Sequence, residues 1–213
     1  MKSFLIIGLG SFGHHLCKAL ARYKCEIMIA DKISENLEDL LSYAVSAKVG
    51  DCTNPEVLKS FGIPEFDACF VCLGDNFQES LEVTSLLKEL GAKKVLSKAD
   101  EDVQAKFLLR NGADQVIYPE LSAAEQIAVS ESSDNIFNCV NLTDEHKIFE
   151  IAVLPAWVGK NLIELKIRPK YNLSVLAIRR GGELMVLPSP DTRFEQNDHL
   201  MILGRIGDIE KVT

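Results

Sequence analysis

An apolar run, Phe4-Leu5-Ile6-Ile7, leads straight into Gly8-Leu9-Gly10-Ser11-Phe12-Gly13, and a second apolar run, Cys25 to Ala30, ends at Asp31. Few folds accommodate that order. A buried strand, a glycine turn, a helix and a second strand closed by a carboxylate form the opening βαβ unit of a parallel sheet. Gly8 is expected to allow the tight turn, Gly10 to let backbone approach a diphosphate, and Gly13 to let the helix pack closely on the sheet. A helix beginning near Ser11 presents unpaired N–H groups and a positive dipole end to an anion, worth about 0.3–2 kcal/mol. Asp31 is placed to accept hydrogen bonds from ribose hydroxyls and would repel a 2′-phosphate. The competing account is a close-packed turn followed by a surface aspartate.

The pattern then repeats. Strands are expected near 3–8, 25–30, 46–49, 67–73, 93–97 and 114–118, mostly as short apolar runs without alternation, the mark of strands buried on both faces. Between them lie helical periodicities at His14–Tyr23, Ser34–Tyr43, Pro55–Phe61, Gln78–Leu90 and Glu101–Asn111. Ser34 and Asn54 read as N-caps, Pro55 as a first helical residue, and Gly91 and Gly112 as helix ends. Residues 1–119 therefore predict an α/β domain with a Rossmann-like, doubly wound parallel sheet. Residues 120–135 predict a crossover helix and hinge, with an apolar stripe at Leu121, Ala124, Ile127, Ala128 and Val129 suited to its own sheet or a second subunit. From Ile136 the chain turns strand-rich, at 136–142, 147–153, 173–179, 183–187 and 199–203, with short helices near Asn161–Leu165 and Asp208–Val212. A smaller α+β domain, 136–213, is expected.

A net charge of −8 over 213 residues, with no run of Lys or Arg, argues against a nucleic-acid partner. The six cysteines are scattered, and Cys69 and Cys72, three apart on one strand, should face opposite ways. Reduced, buried thiols are expected rather than disulfides or a metal. No stretch approaches the ~20 apolar residues that span a bilayer, and no charged-then-apolar leader is seen. A cytosolic chain, carried to a membrane only by a partner, is the expectation.

Gly8-Leu9-Gly10-Ser11-Phe12-Gly13, Gly50-Asp51-Cys52-Thr53 and Gly74-Asp75-Asn76 resemble the KTN or RCK-N domain. Val158-Gly159-Lys160-Asn161-Leu162, Val175 to Arg180 and Asp198 to Gly204 resemble the RCK-C domain. The pair, in this order over nearly the whole chain, is similar to the cytosolic regulatory subunits of Trk- and Ktr-type potassium uptake systems. The resemblance implies a nucleotide-sensing subunit without catalysis, which dimerises, assembles into a gating ring and controls a separate membrane-embedded transporter subunit from the inner face of the membrane. It implies an adenine nucleotide, NAD/NADH or ATP/ADP. Gly8, Gly10 and Gly13, with Ser11 and Phe12, would hold the diphosphate; Asp31, with Lys32 beside it, the ribose. Asp51, Cys52 and Thr53 would lie beside the adenine, Gly74, Asp75 and Asn76 at the crevice, and Lys98 against a phosphate. Glu120 matches a position near a nucleotide-linked cation, divalent or monovalent; the first-turn acid of a helix explains it equally. Ser11 departs from the arginine of many Ktr-type members, which weakens ATP-over-ADP discrimination and favours NAD or NADH. Cys52 replaces a usual small residue. Ile163, Ile167 and Arg168 match a cyclic di-AMP segment, against a simpler role for Arg168 in capping a helix or pairing with Glu164.

Other constellations carry less. His14 and His15 have no carboxylate tied to them by spacing and read as surface or packing histidines. Gly10-Ser11-Phe12-Gly13 is no nucleophile elbow, because Leu9 stands where that motif needs glycine. Trp157 reads as a core or interface anchor. The rival function is an NAD-dependent oxidoreductase, which needs a convergent proton donor in the second domain; His146, His199 and Tyr171 are scattered. A free-standing nucleotide-binding protein is the third reading.

Overall fold

Strands that are apolar at consecutive positions must be covered on both faces, and the four inner strands of the first half carry buried runs, whereas its two edge strands do not. The computed structural model describes residues 1–74, 76–131, 135–143 and 145–212, with the side chain of Ser130 excepted. Two compact units divide them, Met1–Leu121 and Ser122 onward. In the first, β1 (Lys2–Ile7), β2 (Cys25–Asp31), β3 (Ser46–Val49), β4 (Ala68–Val71), β5 (Val95–Lys98) and β6 (Gln115–Ile117) form one sheet, ordered β3-β2-β1-β4-β5-β6. Every pair is parallel. Leu5, Ile7, Cys69 and Val71 face a layer containing Leu58, Val83 and Leu87. Ile6, Ile29, Phe70 and Cys72 face the other layer, with Leu9, Cys17 and Leu40. Cys69 and Cys72 thus lie on opposite faces, and burial pushes both thiols up to about 12. All six cysteines are free.

The connecting helices are α1 (Ser11–Leu20), α2 (Pro55–Lys59), α3 (Phe77–Glu89) and α4 (Asp102–Arg110); α5 (Pro119–Glu131) carries the chain across the division between the units. Asn54 caps α2 by accepting the Glu56 amide at 3.0 Å, with Pro55 at the first helical position. The helix expected over Ser34–Tyr43 is not formed. Two single 3₁₀ turns, Ser34–Asn36 and Glu38–Leu40, stand there instead. Leu37 and Leu40 are buried three residues apart, the spacing of a three-residue turn, and Ser34 donates to Glu35 rather than capping. Along α5, Leu121 and Ile127 are exposed while Val129 packs on the core of the second unit. No helix of the described residues is long and apolar enough to cross a membrane.

In the second unit, β7 (Ile136–Asn141), β8 (His146–Ala152), β9 (Ser174–Arg180), β10 (Glu183–Val186) and β11 (His199–Arg205) form an antiparallel sheet ordered β10-β9-β11-β8-β7. Its inner face packs Phe149, Ile151, Ile178, Leu200 and Ile202 against Trp157, Ile167 and Phe194. Trp157 is a core residue of this unit. α6 (Leu162–Leu165) starts at Asn161, which accepts the Glu164 amide at 2.9 Å in a capping box. α7 (Ile167–Tyr171) was not expected. Its Pro169 sits in the first turn, where a missing N–H leaves no intrahelical bond unmade. The last helix, α8 (Ile206–Ile209), follows β11 directly, ahead of the expected Asp208–Val212.

Candidate functional site

The strand order reverses on either side of β1, and open parallel sheets leave a crevice there, beyond the carboxyl ends of the strands. Here that crevice is a cleft of about 350 Å³. Gly8 turns the chain out of β1 at φ 86°, its amide donating to the Ala30 carbonyl at 2.9 Å. A Cβ at Gly8 would stand 2.8 Å from Leu73 Cδ2 and 3.1 Å from backbone atoms of Cys72 and Leu73. At Gly13 a Cβ would fall onto the Gly8 carbonyl oxygen. Gly13 therefore supports the turn from behind and does not line the cleft; Gly8, Gly10, Ser11 and Phe12 do. α1 starts at Ser11 with no capping side chain and no acid in its first turn, so its leading amides are open to an anion.

Asp31, only 8% exposed, ends β2 against this turn. Its Oδ2 accepts the Leu9 amide at 2.6 Å and its Oδ1 the Ile33 amide at 2.9 Å. The carboxylate expected to meet a ribose therefore also holds the glycine turn, a role with no sequence signal because Leu9 and Asp31 meet only when β1 and β2 pair. Across the cleft, Asp51 accepts the Thr53 hydroxyl at 2.7 Å and the Thr53 amide at 2.9 Å. Those bonds hold its carboxyl below the usual range. Burial, with Asp51 and Asp31 adding, pushes the Cys52 thiol up to about 12, which removes it as a nucleophile.

Two ammoniums reach the cleft, and each is met by a glutamate. Lys32 lies 3.1 Å from Glu79, whose hydrogen bond is the main cause of its raised pKa. Glu79 is a lining residue the sequence reading missed, although its place three residues after the helix cap Asn76 is a capping-box spacing. Asn76 accepts the Gln78 amide at 3.1 Å and donates to Glu79 at 3.1 Å. Lys98, 12% exposed, lies 2.8 Å from Glu120 and 3.2 Å from Asp100. Burial disfavours its charge, but the two carboxylates outweigh burial and its pKa is raised. Gly74 leaves room for it: a Cβ there would be 3.0 Å from Nζ.

Gly74, Asn76, Lys98 and Glu120 thus line the same cleft as Asp31, Lys32, Asp51, Cys52 and Thr53. Asp75 lies outside the described residues. Among the described residues no group of three or more His, Cys, Asp or Glu converges as a metal site. Glu120 and Asp100 both face the Lys98 ammonium.

Outside the cleft, His14 does meet a carboxylate, Asp39 at 2.6 Å, contrary to the spacing argument; Lys18 shares it at 3.1 Å. The 3₁₀ segment brings Asp39 back onto α1. In the second unit, Ile163 and Arg168 are exposed, whereas Ile167 is buried in the core and does not share their surface. Glu164 pairs with Arg193 at 3.2 Å, so the partner expected for Arg168 is taken by another arginine.

Residues 4–119 match the TrkA-N domain and residues 148–213 the TrkA-C domain. The chain is 37% identical over 210 residues to Ktr system potassium uptake protein C of Bacillus subtilis, covering 99% of this chain and 95% of that one. It is 36% identical, with the same coverage, to uptake protein A of that organism. The GsuK channel has a similar fold, with a TM-score of 0.70 at 18% identity over 99% of this chain; the chain spans 38% of that channel's length. A TrkA-N domain followed by a TrkA-C domain, at this identity and over this length, makes the chain a member of the Ktr potassium uptake protein family.

Proposed function

We propose that the chain is a nucleotide-sensing regulatory subunit of a potassium uptake system, held in the cytoplasm against a separate membrane-embedded Trk- or Ktr-type transporter subunit. One observation carries this reading: open helix amides, a lysine, a strand-end aspartate and the Asp51–Thr53 wall share one cleft, in a relative of Ktr uptake protein C. The turn amides and Lys98 hold phosphate, Asp31 accepts the ribose hydroxyls, and Asp51, Cys52 and Thr53 flank the adenine. Gly10 fits that arrangement, since a Cβ there meets nothing within 4 Å and the protein's own packing does not call for glycine. The described lining residues include four carboxylates, Asp31, Asp51, Glu79 and Glu120, against two ammoniums. With the uncharged Ser11 in the turn, that balance favours a diphosphate such as NAD, NADH or ADP over free ATP.

Nucleotide shifts a conformational equilibrium only by its difference in affinity for the two states. Moving it from 1:99 to 99:1 takes about 5.5 kcal/mol, which an oligomer divides among its copies. Exposed Leu121 and Ile127 on α5 suit pairing into a dimer and from there a ring.

Calorimetric titration with ATP, ADP, NAD and NADH tests the proposal. Submillimolar binding by at least one is expected, weakened about 10- to 100-fold in Asp31→Ala, the effect of losing charge-assisted bonds to ribose. Because Asp31 also holds the Leu9 and Ile33 amides, the melting temperature is read alongside. Undiminished affinity in the variant, or no binding by the native protein, overturns the assignment. Cyclic di-AMP in the same series tests the Ile163–Arg168 segment separately.

A further inference from the structure

Asp31 and Lys32 give opposite instructions about the ribose 2′-position. A strand-end carboxylate accepts the 2′-hydroxyl and repels a phosphate there, whereas a basic side chain nearby accommodates one. Asp31 does not settle the matter alone, because both its oxygens already accept backbone amides, from Leu9 and Ile33. The deciding group comes from the far wall of the cleft. β2 and β4 lie on either side of β1, and Glu79 stands in the first turn of α3, the helix that follows β4. It receives the Lys32 ammonium on both carboxylate oxygens, at 3.2 and 3.1 Å. Asn76, the cap of α3, donates its side-chain amide to the same carboxylate at 3.1 Å. Glu79 is thereby fixed, its side chain 27% exposed against 54% for Lys32. Glu79 is the main cause of the raised Lys32 pKa, and the charges of Asp51 and Asp31 add to it. The ammonium therefore stands within electrostatic reach of both carboxylates assigned to the adenosine end, with its charge already answered.

We infer that Glu79 is a specificity-determining residue of the cleft: by holding Lys32 it withholds the basic side chain beside the ribose, and the site rejects nucleotides phosphorylated at the 2′-hydroxyl. The inference rests on the nucleotide reading above and adds which class of nucleotide the cleft turns away. A free Lys32 would give a 2′-phosphate a charge-assisted partner. With Glu79 in place, that phosphate must displace a carboxylate held by two donors, and it meets the like charges of Asp31, Asp51 and Glu79. Lys98 does not replace Lys32, because it ends β5, which two strands, β1 and β4, separate from β2. The Lys32–Glu79 pair is partly exposed and adds little to stability, so its effect is read in selectivity. Glutamine suits the third position of a helix start as glutamate does, so Glu79→Gln is expected to fold.

The test compares NAD with NADP, and ADP with 2′-phospho-ADP, by calorimetry on the full chain. Each pair differs only in the 2′-phosphate, and the weaker member is read by displacement of the stronger. Native protein is expected to prefer the unphosphorylated member by about 100-fold or more, the scale of like charges brought together. Glu79→Gln should narrow that preference about tenfold, one charge-assisted contact to phosphate, while NAD and ADP affinities stay within about twofold. Adding Lys32→Met should restore the native preference, because the freed ammonium is then gone and the net charge of the pair is again zero. A preference unchanged in Glu79→Gln, or a gain that survives the loss of Lys32, overturns the specificity role alone. So does native protein that binds both members of a pair equally, or weaker NAD and ADP binding by Glu79→Gln, which would make Glu79 a direct ligand contact. Native protein that binds none of these nucleotides overturns the nucleotide reading itself.

Discussion

Gly13→Ala is expected to destabilise the first unit by about 2–4 kcal/mol, the upper range for overpacking a filled site. The added methyl falls onto the Gly8 carbonyl oxygen, with Cys72 Cβ 3.2 Å away. A flexible side chain there would swing aside, but the obstacle is backbone. Gly8 is itself pinned by the hydrogen bond from its amide to the Ala30 carbonyl, and Leu73 and Cys72 leave no room for a Cβ on it. Relief therefore requires α1 to lift from the sheet or the turn to open, and either change removes the cleft. Gly10→Ala is the matched control: its Cβ meets nothing within 4 Å and its backbone, at φ −61° and ψ −172°, suits alanine. It should melt within about 0.5 kcal/mol of the native protein and still lose nucleotide binding, because its methyl enters the space of the diphosphate. Thermal unfolding by circular dichroism together with calorimetry separates the two glycines. A Gly13→Ala protein that melts normally and binds normally would remove the close-packing argument.

The same contrast shows what a single sequence discloses. The four inner strands of the first sheet were legible because burial on both faces leaves mostly apolar residues to choose from, and Ile6 beside Ile7 marks each face at once. The glycine turn was legible for a similar reason, since backbone contact excludes every other residue at Gly13. Ser34–Tyr43 misled because Leu37 and Leu40 satisfy a helical spacing and a 3₁₀ spacing alike; only the length of ordered chain decides between them. Ion pairs were not legible. Lys98 and Glu120 were each singled out, yet their pairing depends on how the end of β5 and the start of α5 sit together, which no local pattern encodes. Asp39 and His14 repeat the lesson, meeting across the 3₁₀ segment at a sequence distance where spacing carries no information.

Arg180→Met should destabilise the second unit by about 3 kcal/mol, the loss expected when a buried carboxylate is left without its partner. Asp198 has no exposed side-chain surface. Arg180 holds it in a two-pronged pair, Nε to Oδ1 and Nη2 to Oδ2, each at 2.7 Å. The Glu195 amide adds a third bond to Oδ2 at 2.8 Å, and Arg180 also donates to the Arg193 carbonyl at 2.9 Å. The arginine thus stitches β9 to the loop that feeds β11. Burial pushes the Asp198 carboxyl upward, but the Arg180 and Glu195 hydrogen bonds reverse this and hold it below its usual value. A depressed folded pKa gives stability that is complete above the unfolded value, about 3.9, and is lost as pH falls through the lower, folded one. Native protein should therefore keep this contribution unchanged between pH 5 and 8. Without Arg180, burial is the largest single remaining influence on Asp198, so its folded pKa is expected to rise, and where it passes the unfolded value the sign reverses. Arg180→Met should then be destabilised less at pH 5 than at pH 8, and adding Asp198→Asn should recover part of the loss by removing the stranded charge. Trp157, the single tryptophan, lies in this core with its ring 6.4 Å from Phe194, so urea unfolding followed by its fluorescence reads the unit directly. A loss below about 1 kcal/mol, or the same loss at both pH values, would mean that water or a neighbouring group satisfies Asp198 once the arginine is gone.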